Sequence, residues 1–75
     1  MTRYFFDTRD GDTVFEDLEG LEFPDINSAE QAAVVAVLSI ARDAIVAPLD
    51  RNIEMSIRTG DRKIVATYTL TFLAR

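Results

Sequence analysis

Seventy-five residues with a hydrophobic share of 48% suffice for one small domain with a core, and are too apolar for a disordered chain. There is no cysteine and no histidine, which excludes disulfides, thiolate or imidazole metal sites and the usual nucleophile–base pairs within one chain. The net charge of −5 is uneven: residues 1–30 hold nine acids against Arg3 and Arg9, whereas residues 31–75 hold four acids against six bases. An acidic end repels phosphate backbones, so nucleic acid is a disfavoured partner.

Residues 3–9 read as a strand, with Tyr4, Phe6 and Thr8 on one face and Arg3, Phe5 and Asp7 on the other. Asp10-Gly11 predicts a tight type I′ hairpin turn, and residues 13–16 form the return strand. Asp17-Leu18-Glu19-Gly20 breaks that strand, after which Leu21-Glu22-Phe23 resumes an extended stretch before the turn at Pro24 and Asp25. A helix follows, opened by a capping box from Ser28 with Gln31 or Asn27 with Glu30, and stopped by Pro48. Its apolar side gathers Ala33, Val37, Ile40, Ala41 and Ala44, flanked by Val34, Leu38 and Ile45, and leaves Val35 and Val46 outside. Residues 52–58 alternate, with Ile53, Met55 and Ile57 inward and Glu54, Ser56 and Arg58 outward. A turn at 59–62 leads into residues 63–73, the most strand-like segment of the chain. It places Ile64, Ala66, Tyr68, Leu70 and Phe72 on one face and Val65, Thr67, Thr69, Thr71 and Leu73 on the other.

One helix with one apolar side and four strands with one apolar face predict a two-layer α+β domain of order β-β-α-β-β spanning residues 1–75. The most apolar strands, the first and last, are expected in the middle of the sheet, with charged strands at the edges. That gives the β-grasp-like spatial order 2-1-4-3, the first and last strands running parallel.

No phosphate-binding loop is present, and Gly11, Gly20 and Gly60 all fall where turns are expected. Eight acids between Asp7 and Asp25 offer oxygen ligands, but their spacing departs from that of a calcium-binding loop, and turn chemistry accounts for Asp10, Asp12 and Asp25. The two longest uncharged runs, residues 31–41 and 64–74, have 11 residues each, against the roughly 20 that cross a membrane. The opening residues meet a charge too soon for a signal peptide. The expectation is therefore a cytoplasmic protein, not an enzyme, with no cofactor and no bound metal.

Arg3-Tyr4-Phe5-Phe6-Asp7, Arg9-Asp10-Gly11, Asp17-x-Glu19-Gly20-x-Glu22, Phe23-Pro24-Asp25 and Ala41-Arg42-Asp43 together resemble a family of small alphaproteobacterial proteins, common in rhizobia and catalogued as a domain of unknown function. The resemblance spans essentially the whole chain and is densest in its first third. It implies a free-standing small cytoplasmic protein and implies no reaction, ligand or catalytic residue.

The residues favour a non-enzymatic protein-interaction or regulatory module that forms a homodimer, with room for an unidentified protein partner. Val35, Leu38 and Val46, with Ser39 and Arg42 as polar contacts, form the first candidate interface on the helix; Phe5, Val65 and Leu73 on the open sheet face form the second. Two alternatives stand beside it. One is a small cation- or ligand-binding protein using the acidic N-terminal segment, the other an antitoxin-like nucleic-acid regulator suggested by fold analogy alone.

Overall fold

The computed structural model describes residues 1–43 and 51–72. Its elements are β1 (Thr2–Asp10), β2 (Thr13–Phe15), β3 (Leu21–Phe23), α1 (Ile26–Asp43), β4 (Arg51–Thr59) and β5 (Ile64–Phe72). One helix packs against one face of an antiparallel five-stranded sheet, so the two-layer α+β expectation holds. The expected helix stop at Pro48 lies outside the described residues.

The strand order corrects the expected one. The sheet runs β2-β1-β4-β5, with β3 also on β1, and every pairing is antiparallel. Tyr4 has both Leu21 of β3 and Thr59 of β4 as partners, so β3 shares the β2 edge of β1. The charged strand β4 takes the centre because its charges point to the open face, where Arg58 pairs with Asp7 of β1 at 2.8 Å. Its inward residues Ile53, Met55 and Ile57 lie directly under the helix and are the most deeply buried of any strand. The more apolar β5 lies at the edge, its inward row Ala66, Tyr68, Leu70 and Phe72 only partly buried. Leu21–Phe23 is a fifth strand, beyond the four expected.

Two turns depart from their expected detail. Asp10 pairs with Thr13 around Gly11 and Asp12, and only Gly11 takes a positive φ, +62°. Positive φ at the first central position alone is the type II′ pattern, not type I′. The helix is capped by Asp25, whose Oδ1 accepts the Ser28 N–H at 2.8 Å. Neither expected capping box provides the cap, because the helix begins at Ile26, upstream of both. Between β4 and β5, Arg62 occupies the left-handed conformation (φ +67°).

Ala29, Ala33, Val37 and Ala41 recur on the buried side of α1 at four-residue spacing. Three of the four are alanines, so the helix can lie close upon Ile53, Met55 and Ile57. At the end of the sheet near the helix start, Tyr4, Phe6 and Phe23 form an aromatic group, with the Phe23 ring 6.2 Å from Tyr4 and 5.9 Å from Phe6, the latter edge-on.

Candidate functional site

The β1 edge that carries β2 and β3 is interrupted. Residues 8–10 pair with β2 and residues 2–4 with β3, so Phe5, Phe6 and Asp7 face the break at residues 16–20. A strand residue whose N–H meets no ladder partner needs another acceptor. Asp17 supplies it: its Oδ2 accepts the Phe6 N–H at 3.0 Å, while its Oδ1 accepts Glu19 N–H (3.2 Å) and Gly20 N–H (3.0 Å). The Asp17 N–H in turn donates to Asp7 Oδ1 at 3.0 Å.

Arg58 completes this network from β4. Its Nε donates to Asp7 Oδ2 (2.8 Å) and its second terminal nitrogen to the Asp17 carbonyl (3.0 Å), with the guanidinium 4.7 Å above the Phe5 ring. The Arg58 hydrogen bond lowers the Asp7 pKa despite partial burial. Burial raises that of Asp17, but the N–H groups of Gly20, Phe6 and Glu19 outweigh it and hold the carboxyl below its usual range. Gly20 (φ +71°) sits so close to β1 that a Cβ there would lie 2.8 Å from the Tyr4 carbonyl oxygen. Arg3 ties down the end of the loop by donating to the Glu19 carbonyl at 2.7 Å and pairing with Glu22 at 3.5 Å.

The other edge differs in every respect. β5 has nine residues, no proline and no charge, and no strand among the described residues covers its outer side. On the open face two of its hydroxyls turn inward across the sheet: Thr67 meets Ser56 at 3.2 Å, and Thr71 donates to Asn52 at 2.9 Å. On the helix face, Tyr68 donates to Glu30, which places that flank of α1 beside β5. Val34 and Leu38 follow Glu30 at four-residue steps, each turning outward by about 40°. They are 39% and 53% exposed, and Val35 beside them is 64% exposed.

The structure thus brings Val35 and Leu38 together on a solvent-facing flank and adds Val34, which the sequence reading had set at the border of the core. Arg42 is exposed beside Asp43 (4.0 Å), and Ser39 is half-buried. Val46 and Leu73 lie outside the described residues. Phe5, in the second candidate surface, is half-buried beneath Arg58 and against Gly20. Val65 is 41% exposed at the bulge where the pairing steps from Ile57↔Ala66 to Arg58↔Ile64. The Asp7–Arg58 pair was missed because its members are 51 positions apart and the expected strand order did not make their strands neighbours.

A family model described as a domain of unknown function (DUF6894) matches residues 3–71. The chain belongs to this family. No curated protein and no solved structure matches the chain. In this DUF6894 domain the N-terminal pattern behind the sequence resemblance has a structural account, since Arg3, Asp7, Asp17, Glu19, Gly20 and Glu22 all take part in closing the β1 edge. Among the described residues no three acids converge as metal ligands would, and no helix is long and apolar enough to cross a membrane.

Proposed function

We propose that this DUF6894 domain is a non-enzymatic protein-interaction module, regulatory in role, that works as a homodimer. The observation supporting this reading is the group of exposed apolar residues Val34, Val35 and Leu38 on the solvent side of α1. Single exposed apolar side chains are ordinary, but three neighbours on one flank form a surface that gains by being covered. So small a domain, whose core leaves much apolar surface outside, gains more than a large one.

The chemistry of the polar groups supports the same side. Asp7, Asp17 and Arg58 are engaged with one another and with backbone groups, an arrangement that holds a loop in place. The cation-binding alternative lacks converging carboxylates among the described residues. The nucleic-acid alternative loses Arg3 and Arg58 as free cations, since both are held by acceptors within the domain. The resemblance to small alphaproteobacterial proteins favours a cytoplasmic setting, where an unidentified protein would be a further partner.

Sedimentation equilibrium at tens of micromolar tests the reading. The expected result is a dimer mass for the native chain and a folded monomer for Val35→Asp with Leu38→Asp. A monomer mass for the native chain across the whole concentration range overturns it.

A further inference from the structure

The hydrogen-bond phase of the sheet identifies which backbone groups β5 directs to its outer side. Adjacent residues of a strand direct their N–H and C=O groups to opposite sides. On β1, Phe6 directs its N–H to the Asp17 side, so Phe5, Asp7 and Arg9 address β4. The Gly11 N–H, which reaches the Asn52 carbonyl at 3.2 Å, continues the same phase. On β4, Asn52, Glu54 and Ser56 therefore face β1, while Ile53, Met55 and Ile57 face β5. The Thr59 N–H agrees, donating to the Lys63 carbonyl at 2.9 Å. Their partners on β5 are Leu70, Tyr68 and Ala66. Thr67, Thr69 and Thr71 consequently direct their backbone groups away from the sheet.

We infer that this edge pairs with β5 of a second copy of the chain, antiparallel about a two-fold axis at Thr69, making one continuous ten-stranded sheet; the inference rests on the homodimer reading. Past the bulge at Ile64 and Val65 the regular part of β5 is residues 66–72, and Thr69 is its midpoint. An axis there pairs Thr69 with its own copy and Thr67 with Thr71 of the partner, so each donor meets an acceptor. An antiparallel strand is self-complementary in this way, as a two-fold interface requires.

Three features select a second copy as the occupant. The domain carries a net charge of −5, and residues 1–30 hold nine of its thirteen acids, yet β5 is uncharged, so two copies meet there without opposing like charges. The Thr67 and Thr71 hydroxyls are engaged across the sheet with Ser56 and Asn52, away from the backbone edge, which no strand among the described residues covers. A strand edge alone falls short of the roughly 800 Å² per partner of a stable interface, and the adjoining flank of Val34 and Leu38 adds apolar area on the same side of the domain.

The test combines Thr69→Lys, which opposes two cations across the axis at an exposed position, with amide exchange and sedimentation on the full chain. The expected result is a dimer whose Thr67, Thr69 and Thr71 amides are protected in proportion to dimer fraction. Thr69→Lys should be a folded monomer with those amides exchanging freely, and Thr69→Val should remain dimeric. If Thr69→Lys stays dimeric with those amides unprotected, while Val35→Asp with Leu38→Asp is monomeric, the strand pairing is overturned and the homodimer reading stands. A native chain that is monomeric throughout, or that protects these amides only when another protein binds, overturns both.

Discussion

The two edges of this sheet are built on opposite rules. One is made of two three-residue strands separated by an acidic loop, and the loop is fastened by side chains from β1 and β4. The other is a nine-residue uncharged strand, paired on its inner side with one bulge and covered on its outer side by no strand among the described residues. Globular proteins usually shield sheet edges with short strands, charge or a covering loop. Among the described residues all three devices are concentrated on the β2 and β3 edge, and none of them is found along β5.

The largest effect on that contrast is expected at Gly20. Alanine there must adopt a left-handed backbone and place its Cβ about 2.8 Å from the Tyr4 carbonyl oxygen. Together these should cost about 3 kcal/mol or more, read as a fall in the denaturant midpoint. Asp17→Ala comes next. It leaves the Phe6, Glu19 and Gly20 N–H groups without their acceptor, and an expected loss of about 2 kcal/mol follows if water satisfies the more exposed of them. Gly11→Ala supplies the scale, because a Cβ at Gly11 meets nothing within 4 Å and only the backbone term, about 1 kcal/mol, applies. Equal midpoints for the Gly11 and Gly20 variants would refute the tight apposition of the loop to β1.

Acid sharpens the comparison in a different way. The native pKa values of Asp7 and Asp17 lie below the unfolded reference of 3.8. A depressed carboxylate contributes stability that is fully present above the unfolded value and lost as pH falls through the native one. Stability should therefore decline below about pH 4, with residues 16–20 losing amide protection before β4 and β5 do. In Asp7→Asn the acid dependence should flatten, measured as the slope of midpoint against pH. The smallest effect is expected at Ser56→Ala, which removes an exposed hydroxyl contact with Thr67 and should cost under about 1 kcal/mol.

Much of this architecture was legible in the chain. The helix, the inward rows of β1, β4 and β5, and the Gly11 turn follow from period and turn chemistry, which are local. What escaped was non-local. Ranking strands by apolar content placed residues 63–73 in the centre, yet the centre belongs to β4, whose Arg58 gains a partner in Asp7 only across the sheet. Val34 was assigned to the border of the core because a helical wheel gives the angle of a residue but not how far the opposing layer extends. In the second candidate surface, Phe5 lies beneath Arg58, 53 positions downstream, a contact between strands that a local pattern does not contain. The excess apolar content of β5 was a sound signal with the wrong destination: a strand written for the middle of a sheet stands, in one copy, at its margin.

The fastening of Asp17 to the Phe6 N–H has a further consequence for how many copies can join. A sheet with two adhesive margins is a monomer unit in the polymer sense, and each addition regenerates a growing end. If β5 pairs as proposed, the fastened margin leaves the unit a single functional end, like a chain terminator, and growth through β5 stops at two. On the proposed pairing, loosening Asp17 while keeping the fold would free the Phe6 N–H and the middle of the β1 edge as a second place for a strand to add.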